Sequence, residues 1–260
     1  MCLIVLAWRQ HREYPLLLAA NRDEFHRRPA APADFWPQQP ALLAGRDLEA
    51  GGTWLGISRS GRFAAVTNIR DPDAQGSAPR SRGELTRDFL AGAAPPAAYL
   101  DAVAARRGDY LGFNLLLGDS EALWYLHGGG ASWAAPRRLA PGIHGLSNAA
   151  LDVPWPKVRR AREALRARIA ARAPAAPDHG DLRAAVGDRS LAPEEALHGQ
   201  GLPGAMARAL SAQFIVGPEY GTRCRSTLRW HRDGTREFSE QRFDRDGRLA
   251  GEDNFTLPPP

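Results

Sequence analysis

An α+β fold, with antiparallel sheets stacked on each other and helices outside, is what the order of elements predicts. Strand-like apolar runs open the chain, helical periodicities follow, strands return, then helices, then strands again. No βαβ unit recurs and there is no internal sequence repeat. One domain over 1–260 is the simplest partition, with a frayed tail at 257–260.

The chain opens on a hairpin, Met1 to Glu24. Two apolar runs, Cys2–Trp8 and Pro15–Ala20, flank the polar Arg9–Tyr14. A turn centred between His11 and Arg12 sets Trp8 opposite Pro15 and Cys2 opposite Asn21. Phe25–Pro40, rich in Pro, Ala and Arg, reads as a loop, and Leu42–Arg46 as a short strand. Ala50–Ile57 and Arg62–Asn68 read as two strands joined across Ser58–Gly61. Gly51-Gly52 offers a backbone conformation or close approach denied to other residues. The polar Asp71–Arg82 is a loop beside a pocket. Ser81 followed by Glu84 marks a helix start, with Leu85, Phe89 and Leu90 on one face. Ala93–Pro96 breaks that helix, and Pro96–Arg107 resumes one. Tyr110–Asp119 and Ala122–His127 are the next strands, and Gly142–Leu151 holds a strand and a loop. Pro154–Ala173 is the clearest helix, with Val158, Ala161, Leu165 and Ile169 on one side. Asp178–Asp188 and Pro193–Leu210 are shorter helical stretches. The strands Ala212–Val216, Thr222–His231 and Arg236–Phe243 close the chain, the last after an Asp233-Gly234 turn.

Hydrophobic content of 43% and charged content of 24% are those of an ordinary soluble protein. Among 34 basic residues only Lys157 is a lysine, a bias that points to a GC-rich coding sequence. The net charge of +5 is dispersed among acids, without the patch that nucleic-acid binding requires. Acidic or phosphorylated small ligands remain compatible with it. Two cysteines, Cys2 and Cys224, argue against a disulfide framework. The first apolar run of about six residues, without a basic leader, is no secretory signal. Nothing approaches the ~20 apolar residues of a membrane span. The expected location is the cytoplasm, and the oligomeric state stays open.

Neither metal-ligand spacing nor a GxSxG elbow occurs, and the seven histidines are scattered. The best nucleophile is therefore Cys2. Loss of Met1 would place a thiol and an α-amine in one residue, and that amine titrates at roughly 7.7–8.0. Arg22 and Asp23 would lie alongside to tune the thiol and hold the amine. Asn68, Asn114 and Asn148, at strand ends, are candidate oxyanion donors, and Arg223 could complete a positive pocket. A structural reading of the same residues stands beside this one. A cysteine often only fills a strand, Arg-Asp-Glu is often a solvated turn, and asparagines favour turns.

Several blocks together resemble the NRDE family, which includes the eukaryotic transport-and-Golgi-organisation proteins. They are Cys2, Asn21-Arg22-Asp23-Glu24, Gly51-Gly52-Thr53-Trp54-Leu55-Gly56, Thr67-Asn68, Ser81-Arg82-Gly83-Glu84-Leu85, Phe113-Asn114-Leu115-Leu116, Gly145-Leu146-Ser147-Asn148 and Tyr220-Gly221-Thr222-Arg223. The resemblance runs almost the whole length. It implies a four-layer αββα sandwich of the N-terminal-nucleophile hydrolase type, and relatives linked to haem trafficking and acyl-CoA or lipid metabolism. More distantly, the chain is similar to penicillin V acylases, bile-salt hydrolases and acid-ceramidase-like amidases, which start with a cysteine nucleophile. That similarity implies that Cys2 attacks an acyl carbonyl, with Arg22 and Asp23 positioning it, Asn68 and Asn148 as oxyanion donors, and Arg223 as the late arginine. Here Arg22 and Asp23 are adjacent where those enzymes space them, and an aminopeptidase is expected to expose Cys2. Asn21, Glu24, Trp54 and Asn114 are the expected substrate contacts.

Two functions follow. The first is a cysteine amidohydrolase or acyltransferase acting on a small acylated molecule, with no required cofactor. The second is a carrier of haem or an acyl-CoA-like ligand, with Trp36, Trp54, Trp124 and Trp155 available to line a pocket or, equally, to pack a core.

Overall fold

The computed structural model describes residues 2–70, 77–128, 133–197 and 204–260. Met1 and its expected removal, the 71–76 part of the polar loop, and the 198–203 part of the expected Pro193–Leu210 helices lie outside them. In chain order the strands and helices are β1 (Cys2–Trp8), β2 (Leu16–Phe25), β3 (Ala30–Trp36), β4 (Gln39–Asp47), β5 (Leu55–Ser58), β6 (Arg62–Asn68), α1 (Gly83–Ala91) and α2 (Pro96–Ala105). There follow β7 (Phe113–Gly118), β8 (Leu123–Gly128), the two-residue β9 (Arg137–Arg138), β10 (Gly142–Leu146), α3 (Pro156–Arg172), α4 (His179–Ala185), α5 (Gly204–Ala209), β11 (Tyr220–Trp230), β12 (Arg236–Phe243) and β13 (Leu249–Leu257).

The chain divides into two compact units. One comprises Met1–Arg27 and Pro141–Leu257; its six-stranded sheet runs β10-β1-β2-β11-β12-β13, antiparallel throughout. Alternation along β1 and β2 sends Leu3, Val5, Ala7, Leu17 and Ala19 to one face, where Val158, Ala161 and Leu165 of α3 and Leu182 and Ala185 of α4 cover them. The helix that periodicity made clearest is thus the lid of this core. Asp178 caps α4 in a reciprocal capping box with Asp181.

The second unit spans Arg28–Ala140, with a seven-stranded antiparallel sheet in the order β3-β4-β5-β6-β7-β8-β9. Its helix-covered face joins Ala64, Val66, Leu115, Leu117 and Leu126 to Leu85 and Phe89 of α1 and Leu100 and Val103 of α2. Trp36 is buried here, donating its indole N–H to Ala44 O at 2.9 Å, and Trp54 and Trp124 pack against the same core. Trp155 packs against the core of the first unit. The paired glycines act in two ways. Gly51 takes φ +74°, and Gly52 lies so close to Gly83 that an added Cβ would be 2.5 Å from the Gly83 carbonyl carbon.

The α+β class holds: two antiparallel sheets, each faced by helices. Several expectations are corrected. The first hairpin pairs Cys2 with Arg22 and Trp8 with Leu16, one residue away from the expected register. Its loop has an odd number of residues, starts at Arg9 in a left-handed conformation (φ 52°), and closes through Arg9 N–H to Pro15 O at 2.7 Å. Phe25–Pro40 is no loop: β2 continues to Phe25, and β3 follows at Ala30. Conversely, Ala212–Val216 is not a strand; Gln213 and Phe214 donate their N–H groups to Asp188 O instead of to a ladder. β13 was not expected at all. The expected Ser81 cap is corrected too: the residue before α1 is Arg82, without a side-chain cap, Ser81 only accepts the Gly83 N–H at 3.3 Å, and Glu84 pairs with Arg80 at 2.7 Å.

Candidate active site around Cys2

Cys2 begins β1 at one end of a row that crosses the sheet. Register places Cys2, Arg22, Cys224 and Arg242 side by side on β1, β2, β11 and β12. Paired residues of antiparallel strands point to the same face, so Arg22 stands between the two thiols. Those thiols belong to strands separated by β2, about 10 Å apart, beyond the ~7 Å a disulfide can bridge. Both are free and buried. The one-residue register shift is what sends Arg22 to the Cys2 face and Asn21 to the helix face.

The strand ends around Cys2 are pinned by side chains. Ser147, just past β10, donates its hydroxyl to Cys2 O at 2.8 Å and to Asn148 Oδ1 at 3.1 Å. The second contact orients the Asn148 amide, which is 1% exposed. Asp23 Oδ1 accepts the Thr222 hydroxyl at 2.7 Å, and Tyr220 donates its hydroxyl to Asp23 O at 2.8 Å. Thr222 Oγ1 in turn accepts Ile215 N–H at 2.9 Å. The ladder between β2 and β11 slips between Thr222 and Cys224, a bulge that leaves Arg223 outside the pairing. Arg223 donates to Phe25 O at 2.9 Å and His26 O at 3.2 Å, and Glu24 lies 3.7 Å from Arg22.

Burial pushes the Cys2 thiol up, with Asp23 and Glu24 adding to the effect and Arg22 opposing it. At neutral pH the sulfur therefore keeps its proton. Burial also raises the Asp23 carboxyl, against the pull of Lys157 and the Thr222 hydroxyl. Tyr220 is raised by burial and by the charges of Asp23, Cys2 and Glu24. Burial lowers Arg223, and Arg22 lowers it further. Cys224 is raised well above an ordinary thiol, first by burial and then by Glu240.

Cys2, Arg22, Asp23, Glu24, Asn148 and Arg223 therefore come together in one unit. Asn21 sits on the opposite face, 0% exposed, with its amide N–H groups on Val186 O and Gln213 O, each at 2.8 Å, and its oxygen accepting from Arg225 Nε at 3.3 Å. That is the position of a clamp. Asn68, Asn114 and Trp54 belong to the second unit. Asn114 is fully buried between Thr67, Tyr125 and His127, bonded at 3.1, 2.7 and 2.8 Å. Sequence reasoning gave no role to Lys157, Thr222, Tyr220 or Ser147, although the last three lie within the motif blocks that carry the family resemblance. Lys157 had a signal, being the one lysine of an arginine-rich chain. Among the described residues no group of three or more His, Cys, Asp and Glu side chains could hold a metal ion, and no helix is long and apolar enough to cross a membrane.

Residues 1–245 match the family model described as Transport and Golgi organisation 2. The chain is 37% identical over 251 residues to the Transport and Golgi organization protein 2 homolog of Bos taurus, covering 88% of this chain and 86% of that protein. It is 35% identical over 242 residues to the Homo sapiens homolog, with the same two coverages. Among solved structures, the C2A mutant of conjugated bile acid hydrolase from Clostridium perfringens is similar at a TM-score of 0.56 and 9% identity, over 99% of this chain and 92% of that one. That likeness is one of fold alone.

Proposed function

The chain belongs to the Transport and Golgi organisation 2 family, and from that premise we propose that it is a cysteine N-terminal-nucleophile enzyme. It would cleave or transfer the acyl group of a small N-acylated molecule. The observation that carries this reading is the position of Cys2: first residue of β1, beside Arg22, with its carbonyl held by Ser147.

A buried thiol that keeps its proton needs a base within reach. With Met1 removed, the α-amine of Cys2 itself is that base, titrating at roughly 7.7–8.0. The amine takes the thiol proton as Sγ attacks the acyl carbonyl carbon. Asn148, oriented by Ser147, is the donor to the developing oxyanion, and Arg22 adds positive potential on the same face. The C–N bond then breaks, and the leaving nitrogen takes the proton from the α-ammonium. The acyl group remains as a Cys2 thioester. Water attacks that thioester, its proton passes to the amine, the carboxylic acid departs and the thiol is restored. An amine in place of water makes the same cycle an acyl transfer. Asp23, fixed by Thr222 and in the field of Lys157, holds the end of β2 against which Cys2 is registered.

The test is hydrolysis of N-acyl p-nitroanilides of graded chain length. Release of nitroaniline by the Met1-free protein, abolished in Cys2→Ala with an unchanged thermal melt, is the expected result. Undiminished release in Cys2→Ala would sink the proposal.

A further inference from the structure

We infer that Arg225, which lies against two phenylalanine rings beside Arg183 and Arg189, is an oxyanion site on the helix-bearing face of the six-stranded sheet, and that its ligand is a phosphate group. Arg225 pairs with Asn21 across β11 and β2, so it faces away from Cys2. Its Cζ lies 5.0 Å from the Phe214 ring centroid and 5.3 Å from that of Phe243. Those rings meet edge to face at 4.8 Å. Arg189 lies over Phe214 too, at 4.7 Å, so two guanidinium groups share one ring. The Nε of Arg225 is spent on Asn21 Oδ1. Rings and amide together fix the plane of the guanidinium and direct its terminal nitrogens.

The neighbouring acids are committed elsewhere. Glu252 accepts from Arg183 at 2.5 Å and from Gln241 at 2.9 Å. Asp188 accepts from Arg160 at 2.7 Å and from Ser190 N–H at 2.8 Å. Among the described residues Arg225 has no carboxylate at ion-pair distance. Four guanidinium groups, Arg160, Arg183, Arg189 and Arg225, with the two carboxylates of Asp188 and Glu252 leave two net positive charges, which a dianionic tetrahedral phosphate matches in charge and in fork geometry. Burial, and then the charges of Arg183 and Arg189, bring the Arg225 guanidinium down to about 10. A bound anion would relieve that repulsion.

Inorganic phosphate tests this, titrated by calorimetry and by thermal melting against chloride at matched ionic strength. Saturable binding and stabilisation are expected in the whole protein and in Cys2→Ala. Arg225→Gln is expected to lose about tenfold or more in affinity, the loss of one or two charge-assisted hydrogen bonds. Arg225→Lys keeps the charge without the fork and is expected to fall between. Sedimentation with phosphatidylcholine vesicles, with and without phosphatidic acid, separates the sources of the phosphate. Sedimentation that needs both phosphatidic acid and Arg225 assigns it to a lipid headgroup; phosphate binding without sedimentation assigns it to a soluble ligand. A response no larger than that to chloride, or one that Arg225→Gln retains in full, would overturn the inference.

Discussion

Lys157 is only 2% exposed, and its ammonium group lies in the field of Asp23, a residue that is 1% exposed. A buried charge with its counter-charge removed is among the costlier defects a fold can carry. Lys157→Met is therefore expected to destabilise the protein by about 3–5 kcal/mol, read as a lower urea midpoint at unchanged m-value. A change within experimental error would show that the two charges do not depend on each other. The legibility of the site was uneven at this scale. Cys2, Arg22 and Asp23 stand out because their chemistry is local in sequence. Asn21 does not declare its face, because a single residue of hairpin register decides it, and that register is set by the left-handed Arg9. Thr222 and Lys157 act on Asp23 from far along the chain, where no spacing rule reaches.

The connection from β10 to α3 shows how an element presents a site residue. Gly145 and Asp152 close the loop that carries Ser147 and Asn148. Asp152 N–H donates to Gly145 O at 2.8 Å, and Gly145 N–H donates to Asp152 Oδ1 at 2.8 Å. The other oxygen, Oδ2, takes the His144 ring at 2.8 Å, and Arg162 lies 3.5 Å from Oδ1. Asp152 has φ 66°, which Asn also tolerates. Burial works to raise the Asp152 carboxyl, but the His144 and Gly145 hydrogen bonds and the charges of His144 and Arg162 outweigh it, so the net shift is downward. A carboxyl held below its ordinary 3.8 stabilises the fold above that pH, and the contribution is lost as pH falls through the folded value. Asp152→Asn is thus expected to cost about 1–3 kcal/mol near neutrality, and the gap from wild type should close as denaturation is repeated below pH 4. A gap that stays constant with pH would assign the loss to shape alone. Elements were legible where one face is apolar, as in α3. β3 and β13 were not: β3 is short of β-branched residues and carries a Pro, and β13 is largely polar, carries a Gly and is mostly exposed. Ala212–Val216 misled for the opposite reason: Phe214 and Ile215 are buried without being in a sheet.

On the scale of the whole molecule, each of the two units has its own helix-covered sheet, and the Cys2 constellation is complete in strands β1, β2 and β11 with the loop after β10. The class of fold followed from the order of elements, and the family from motif blocks spread over the chain. The α-amine on which the proposed chemistry turns depends on a processing step that no pattern of residues encodes. The measurement that tests the account most directly is the mass-mapped site of acylation after exposure to an activated acyl ester. Protein lacking Met1 is expected to gain one acyl group, on Cys2 and not on Cys224, which is equally buried but has no α-amine beside its thiol, and protein retaining Met1 to gain none. An acyl group on Cys224 alone, or no acylation of Met1-free protein, would contradict Cys2 as the nucleophile.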